Sequence, residues 1–401
     1  MDRRVYVIGV GMGREDTLTR QAEETIGRCG CLIGAERLVT PWEKDGRQCH
    51  SAVRPDEILA CVDACPHEDV AILMSGDVGF FSGAQRLCQA LEQRVGAENL
   101  CWLPGISSVQ TLCARLHRPW QQVEMVSLHG REGSLLPWLS LGKDLFVLTG
   151  GNVQRICEEL TQAGYGNVPL YIGQRLSYPE EKVERTTPAE AMKGEFDSLS
   201  VLLLPAVQPR YRYRGEMEDG EFLRGKVPMT KQEVRTVALA RLRLPRGGVA
   251  YDVGAGTGSV AVELALRDPF ARVYAIERKG EAAELIAQNR EHFGAWNLLL
   301  KEGLAPQALE ELPPPDSVFV GGSGGRLAEI VELVRDKNPR VRVVVTAISL
   351  ETIQEAAHCL KDWPGYRVTQ LQVSRGRMAG AYTLMTGENP IYLFEAGGMD
   401  A

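Results

Sequence analysis

The run Tyr251-Asp252-Val253-Gly254-Ala255-Gly256-Thr257-Gly258-Ser259 sets three glycines at alternate positions, behind a short apolar stretch and ahead of the helical segment Val260 to Leu266. Glycines in that arrangement let the main chain approach a ligand closely at the carboxyl end of a strand. Glu277 closes the next apolar run, where a carboxylate can accept hydrogen bonds from both hydroxyls of a ribose. Together they select a nucleoside cofactor. A Gly-x-Gly-x-x-Gly loop would favour a dinucleotide, whereas this Gly-x-Gly-x-Gly loop, introduced by Asp252, suits a cofactor with a cationic amino acid portion and no pyrophosphate. The chemistry indicated is methyl transfer from S-adenosylmethionine rather than hydride transfer with NAD.

The first half of the chain carries a different set of loops. Gly9-Val10-Gly11-Met12-Gly13 follows an apolar strand, as does Ser75-Gly76-Asp77-Val78-Gly79-Phe80-Phe81-Ser82-Gly83, which adds a carboxylate beside an aromatic pair. Leu103-Pro104-Gly105-Ile106-Ser107-Ser108 is the third. A glycine turn after a first strand is common, but three such loops at strand ends can converge on one cleft.

These loops need a scaffold of alternating strands and helices. Val5-Ile8, Val70-Met74, Leu145-Thr149 and Leu199-Leu204 are strand-sized and separated by helix-like segments, Thr19 to Gly30 among them, so the first half reads as α/β. From Pro205 the character changes to PAVQPRYRYRGEMEDGEF, and 205–225 reads as a linker and lead-in between domains at 1–204 and 226–401. The second domain opens with a helix over 230–242, where Thr230 and Glu233 fit a capping box. Six strands follow, at Val249-Val253, Arg272-Ile276, Asn297-Leu300, Ser317-Val320, Val341-Thr346 and Arg367-Val373, alternating with helices as in a doubly wound sheet.

Composition narrows the partners. With 45 basic against 52 acidic residues and a net charge of -7, the chain lacks the broad electropositive footprint of a nucleic-acid binder. Small molecules are the expected ligands, and local arginines can still hold carboxylates. No apolar run is long enough to span a membrane, and the N-terminal apolar segment is broken by glycine and charge, so neither a signal peptide nor membrane attachment is expected. Nine of the ten cysteines fall before residue 160. Cys29/Cys31 and Cys61/Cys65, near His50 and His67, lack structural-zinc spacing and lie in apolar patterns; reduced cytoplasmic thiols, and no metal, are the expectation.

Two resemblances sharpen this reading. Residues 225–377, with PMTKQEVR, DVGAGTGSVAVELA, VYAIER, PPPDSVFVGGSGG and TAISLETIQEA, closely resemble the cobalamin-pathway methyltransferase family that methylates carbon 15 of a corrin precursor and decarboxylates an acetate arm. Residues 3–204, with VYVIGVGMG, LIGAERL, SGDVGFFSGA, LPGISSVQ, SLHGR and FVLTGG, resemble the tetrapyrrole methylase family, in its carbon-5 branch. Val78 departs from the proline that many members carry after the glycine-aspartate pair. The resemblances imply a tetrapyrrole methylase fold of two α/β subdomains fused to a Rossmann-like class I methyltransferase fold, with two S-adenosylmethionine sites and a homo-oligomeric assembly.

They also imply site residues. Gly11, Asp77, Val78, Ser107 and Ser108 would border the donor or substrate in the first domain, with His129-Gly130-Arg131 facing the cleft. Thr230 would lie beside the second donor, Gly254, Ala255, Gly256, Thr257 and Gly258 around its methionine portion, Glu277 at the ribose and Ala305 at the adenine. Arg131, Arg375 and Arg377 are candidates for substrate carboxylates; for the last two a solvated turn is the alternative, and for His129 a structural role. Gly321-Gly322-Ser323-Gly324-Gly325 stands where amino-methylating enzymes of this fold often carry an Asn/Asp-Pro-Pro-aromatic motif, and leaves room for a large planar substrate, unless it is a plain flexible loop. Tyr382, Glu351 and His358 are proton donors by residue type alone, with core or surface roles as the alternative.

Overall fold

The computed structural model describes residues 3–45, 47–130 and 133–398. The chain divides into two compact units, Met1–Leu135 with Lys143–Val207, and Leu136–Gly142 with Gln208–Ala401. No helix among the described residues is long and apolar enough to cross a membrane.

The first unit contains two five-stranded sheets. Strands β1 (Arg4–Gly9), β2 (Cys31–Gly34), β3 (Gln48–Ser51), β4 (Asp69–Met74) and β5 (Leu100–Leu103) lie in the order β3-β2-β4-β1-β5, all parallel. The runs of β1 and β4 are apolar on both faces because both faces are covered. Val5, Val7, Ile33 and Ile72 enter one core, while Tyr6, Ile8, Leu32 and Ala71 enter the other. The helix Arg20–Arg28 packs on the second face, its start fixed by the Thr19 hydroxyl, which accepts from the Ala22 amide at 3.1 Å. The second sheet holds β6 (Glu124–Ser127), β7 (Leu145–Leu148), β8 (Leu170–Gln174), β9 (Lys182–Thr186) and β10 (Ser200–Leu204) in the order β6-β7-β10-β8-β9. Only β6 and β7 pair in parallel there.

The second unit is built on a seven-stranded sheet. Its strands are β11 (Val249–Val253), β12 (Arg272–Glu277), β13 (Leu298–Glu302), β14 (Ser317–Val320), β15 (Arg342–Ala347), β16 (Arg367–Leu371) and, after the hairpin β17 (Ser374–Ala379) and β18 (Tyr382–Gly387), β19 (Ile391–Gly397). The order is β13-β12-β11-β14-β15-β19-β16, with β19 antiparallel to both neighbours. Sequence patterning anticipates six strands, and the sheet has a seventh. Strand β19 returns through a hairpin rather than a helix, so the strand-helix alternation does not announce it. Tyr251, Val318 and Val343 point to one apolar core, Ala250, Phe319 and Val344 to the other.

The helix expected from Thr230 begins instead at Gln232 and runs to Leu242, and Thr230 does not cap it. Other charges have taken the partners: the Gln232 amide donates to Asp219 at 2.9 Å, and the Glu233 carboxylate accepts from Arg375 at 3.0 Å. The lead-in itself packs into this unit, with Met217 and Phe222 buried in its core.

Candidate functional site

In the second unit a cleft of about 840 Å³ opens at the carboxyl ends of β11, β12, β14 and β15. Parallel sheets take ligands at that edge. Gly254, Ala255 and Gly256 form its floor, Glu277 and Ala305 one side, and Val227 to Lys231 another. Gly321 to Gly325, Thr346, Ile348, Ser349, Thr352, Glu388 and Asn389 line the rest.

The glycine loop is set by sterics. Gly254 has φ +72°, and a Cβ there would stand 2.4 Å from the Gly322 carbonyl oxygen of the neighbouring loop. At Gly256, φ +57°, it would stand 2.7 Å from the Pro228 carbonyl oxygen. At both positions the missing Cβ lets two stretches of main chain pack directly against each other at the cleft, at a backbone conformation that other residues rarely adopt. Gly258, also at positive φ, starts the helix Ser259–Arg267, and Thr257 is buried with no partner for its hydroxyl among the described residues.

Glu277 stands at the end of β12, 8% exposed. One carboxylate oxygen accepts from the Gly256 amide at 3.0 Å, the other from the Arg278 and Lys279 amides at 2.9 and 3.0 Å. The acid is thereby held rigidly at the glycine loop, with one lone pair, on the oxygen that faces Gly256, left over for a further donor. Asp252, which the sequence places at the head of the loop, is absent from the cleft wall. It is buried behind the loop and accepts from the Ala261 amide at 3.0 Å, and burial pushes its carboxyl up to about 7. Its role is to join loop and helix.

Of the arginine candidates, Arg375 lies on β17 and is engaged by acids of its own unit. It bonds Glu233 through Nε and Nη2 and lies 3.3 Å from Asp219 and 3.8 Å from Glu388. These carboxylates raise its pKa. Arg377, two residues on along the same strand, is exposed, and Arg131 lies outside the described residues. Glu351, His358 and Tyr382 are exposed and do not line the cleft. Arg235 and Asp219, which bond each other and the Thr230 carbonyl in the Val227 to Lys231 wall, are not legible as site residues in the sequence, where the signal is an arginine at an apolar-helix position inside PMTKQEVR.

In the first unit the loops after β1, β4 and β5 meet. Gly11 and Gly76 exchange main-chain hydrogen bonds of 3.1 and 2.6 Å. Asp77 locks the set, one oxygen accepting from the Gly79 amide at 2.8 Å and the other from the Gly105 amide at 3.0 Å. Val78 packs toward the core on one face of the first sheet. Ser107, 3% exposed, donates through both its amide and its hydroxyl to Gln110 at the start of the helix Ser108–Arg115. Beside these loops lies a cleft of about 690 Å³ lined by Arg14, Asp16, Thr17, Ile106, Gln110, Arg115 and Ser177 to Pro179, among others. His129 is exposed. Cys29, Cys31 and Cys65 are buried in apolar surroundings, and burial pushes the Cys29 thiol up to about 12.

Comparison with known proteins follows the same division. Residues 4–192 match the tetrapyrrole (corrin/porphyrin) methylases, and residues 221–397 match the precorrin methyltransferase domain. A probable cobalt-precorrin-6B C(15)-methyltransferase (decarboxylating) of Pyrobaculum calidifontis is 46% identical over 173 residues, 42% of this chain and 89% of that protein. A precorrin-6Y C(5,15)-methyltransferase [decarboxylating] of Sinorhizobium sp. is 28% identical over 353 residues, 86% of this chain and 84% of that protein. A crystal structure of precorrin-6y C5,15-methyltransferase from Geobacter metallireducens shares 37% identity and covers 46% of this chain and all of that one, with a TM-score of 0.44. The chain belongs to the family of decarboxylating precorrin-6 methyltransferases of cobalamin biosynthesis, S-adenosylmethionine-dependent enzymes of corrin synthesis.

Proposed function

We propose that the chain methylates a precorrin-6-type substrate twice, at carbon 5 in residues 1–204 and at carbon 15 in residues 226–401, where the acetate arm on carbon 12 also loses its carboxylate, giving precorrin-8 and S-adenosylhomocysteine. The observation that carries this is the glycine-loop cleft at the carboxyl edge of the second unit's parallel sheet, together with a separate cleft in the first unit beside the joined loops after β1, β4 and β5, whose lining does not include Gly11, Asp77, Val78, Ser107 or Ser108. The Sinorhizobium relative, named for both positions, aligns along 86% of the chain and supports the pairing.

S-adenosylmethionine supplies an already electrophilic methyl group, so the protein needs no covalent nucleophile. In the second unit Gly254 to Gly256 would cradle the amino acid portion, with Thr257 and Gly258 buried behind them, Glu277 would accept from a ribose hydroxyl and Ala305 would bound the adenine. Thr230 closes the side of the cleft. The attacking carbon is a nucleophilic link between pyrrole-derived rings, and the clefts align it with the methyl carbon and sulfur while excluding water. The glycine-rich mouth at 321–325 leaves width for the macrocycle. Loss of carbon dioxide leaves an electron pair that the adjacent conjugated system accepts as a proton is added to the ring; the resulting electron-rich link is the nucleophile for the second methyl group. Buried unpaired thiols suit a reducing cytoplasm. The exposed apolar side chains of Met378, Tyr382 and Met385 on the β17–β18 hairpin favour a homo-oligomer.

The test is calorimetric titration of the full chain with S-adenosylhomocysteine, repeated on Gly256→Arg. Two sites in the native chain and one in the variant are expected. A single site in the native chain, lost in the variant, would refute methyl transfer by the first unit.

A further inference from the structure

Arg37 stands in the LIGAERL segment, on the short helix Glu36–Val39 that follows β2. Its two terminal nitrogens donate to neutral oxygens, the Tyr178 phenol at 3.1 Å and the Ser75 hydroxyl at 2.9 Å. The side chain is exposed, and among the described residues it forms no ion pair. Its neighbours differ. Arg14 pairs with Asp16 at 3.2 Å, Arg115 with Glu181 at 2.6 Å, and Arg175 with Asp197 and Glu180.

The two partners place Arg37 over the glycine loops. Ser75 opens the loop leaving β4. Tyr178 belongs to the turn after β8, and its phenol oxygen stands 2.3 Å from where a Cβ on Gly13 would be, hard against the loop leaving β1. Tyr178 also lines the 690 Å³ cleft. Its ring is fixed in turn by the Arg175 guanidinium, 5.1 Å from the ring centroid, and by its amide, which donates to the Arg175 carbonyl at 2.9 Å. Arg175 and Ser177 hold left-handed backbone, φ 45° and 68°. Non-glycine residues kept in that region concentrate at ligand sites.

A guanidinium aimed by two neutral hydrogen bonds, with three N–H groups left and no counter-charge, is prepared for an anion from outside the protein. We propose that Arg37, oriented by Ser75 and Tyr178, binds a ligand carboxylate in the first unit. This rests on the reading of that unit as a methyl-transfer domain. Two ligands of such a domain carry the group: the amino acid portion of the methyl donor, and an acetate or propionate arm of the tetrapyrrole.

The experiment uses the full chain in a Gly256→Arg background, so that binding reports the first unit. Arg37→Gln is titrated with S-adenosylhomocysteine and with 5′-methylthioadenosine, which lacks the amino acid portion, and KM for the tetrapyrrole is measured for the first methyl transfer. A loss of about ten- to a hundredfold in S-adenosylhomocysteine affinity with methylthioadenosine unchanged assigns the carboxylate to the donor. Unchanged affinity for both nucleosides, with KM for the tetrapyrrole raised about tenfold or more at retained kcat, assigns it to the substrate. Tyr178→Phe, which keeps the ring and frees the guanidinium, should show a smaller loss of the same kind. Equal loss for both nucleosides, or no change in any of the three, would overturn the proposal. Absence of nucleoside binding with Arg37 intact would overturn the reading of the unit and the proposal with it.

Discussion

The side chains of Arg235 and Glu263 bond to each other with no exposed surface on either. Arg235 directs its other donors to the Thr230 carbonyl at 2.6 Å, to Asp219 at 3.2 Å and to the Met217 carbonyl, and its guanidinium stands 4.9 Å from the Phe222 ring centroid. The pair therefore ties two helices to the stretch that walls the second unit's cleft. Burial raises the Glu263 carboxyl against the pull of Arg235, of the Tyr213 hydroxyl, which donates at 3.2 Å, and of the Met217 amide.

Breaking that pair should be costly. Removing one member of a buried ion pair costs about 3–5 kcal/mol where the other is left without a counter-charge, and Arg235, which keeps Asp219 at 3.2 Å, brings the figure for Glu263 down to about 1–3 kcal/mol. Glu263→Gln is expected to destabilise the second unit by an amount in that range and to weaken its S-adenosylhomocysteine binding through the loosened Thr230 wall. Denaturant unfolding of the variant checks it, and a loss below about 0.5 kcal/mol would contradict the pairing.

Gly254 makes a sharper local test. A methyl group there would meet main-chain atoms of Gly322 at 2.4 to 2.9 Å, and main chain cannot rotate away as a flexible side chain can. Gly254→Ala should reduce nucleoside affinity in the second unit at least about tenfold, a loss of about 1.4 kcal/mol, and leave the first unit's site untouched. Calorimetry resolves the two. Parallel losses at both sites would mean that the effect is not local.

What could be read in advance follows from where each feature stores its information. The glycine loop 254–258, Glu277 and the parallel strands are written in contiguous residues, and local pattern is enough to find them. The wall at 227–231 is held by Arg235, Asp219 and Glu263, three residues spread over 45 positions that meet only in the folded unit. Thr230 illustrates the limit: its spacing to Glu233 fits a cap, yet Asp219 and Arg375, distant in sequence, offer stronger charged partners. Strand β19 escapes the local pattern for a related reason, since its neighbours in the sheet are set by a hairpin return. Asp252 has the residue type for a ligand contact, and only packing reveals that it faces the helix behind the loop.

Asp77 should prove structural in the first unit. Both of its oxygens accept main-chain hydrogen bonds that join the loops after β4 and β5. In Asp77→Asn one acceptor becomes a donor facing an N–H group, at about 1–3 kcal/mol. The expected result is weaker nucleoside binding confined to the first unit, together with a lower melting temperature. Unchanged melting with binding lost would instead place the carboxylate on the ligand.

Asp252 links stability to pH with a definite sign. Burial holds its carboxyl up at about 7, with the Ala261 amide pulling it down and the Glu277 carboxylate pushing it further up. The folded value thus exceeds the unfolded one, and between about pH 4 and pH 7 the folded chain keeps a proton that the unfolded chain has released. The contribution to stability is complete below about pH 4, declines as pH rises, and is gone above about pH 7, amounting to roughly 4 kcal/mol across that window. Asp252→Asn retains an oxygen for the Ala261 N–H and has no proton to lose. Relative to the variant, the native second unit should lose stability from about pH 4 to about pH 7 and change little above that. Denaturant midpoints of both proteins across that range decide it. A constant difference would mean that Asp252 stays ionised in the folded chain, paired with a donor near its free oxygen.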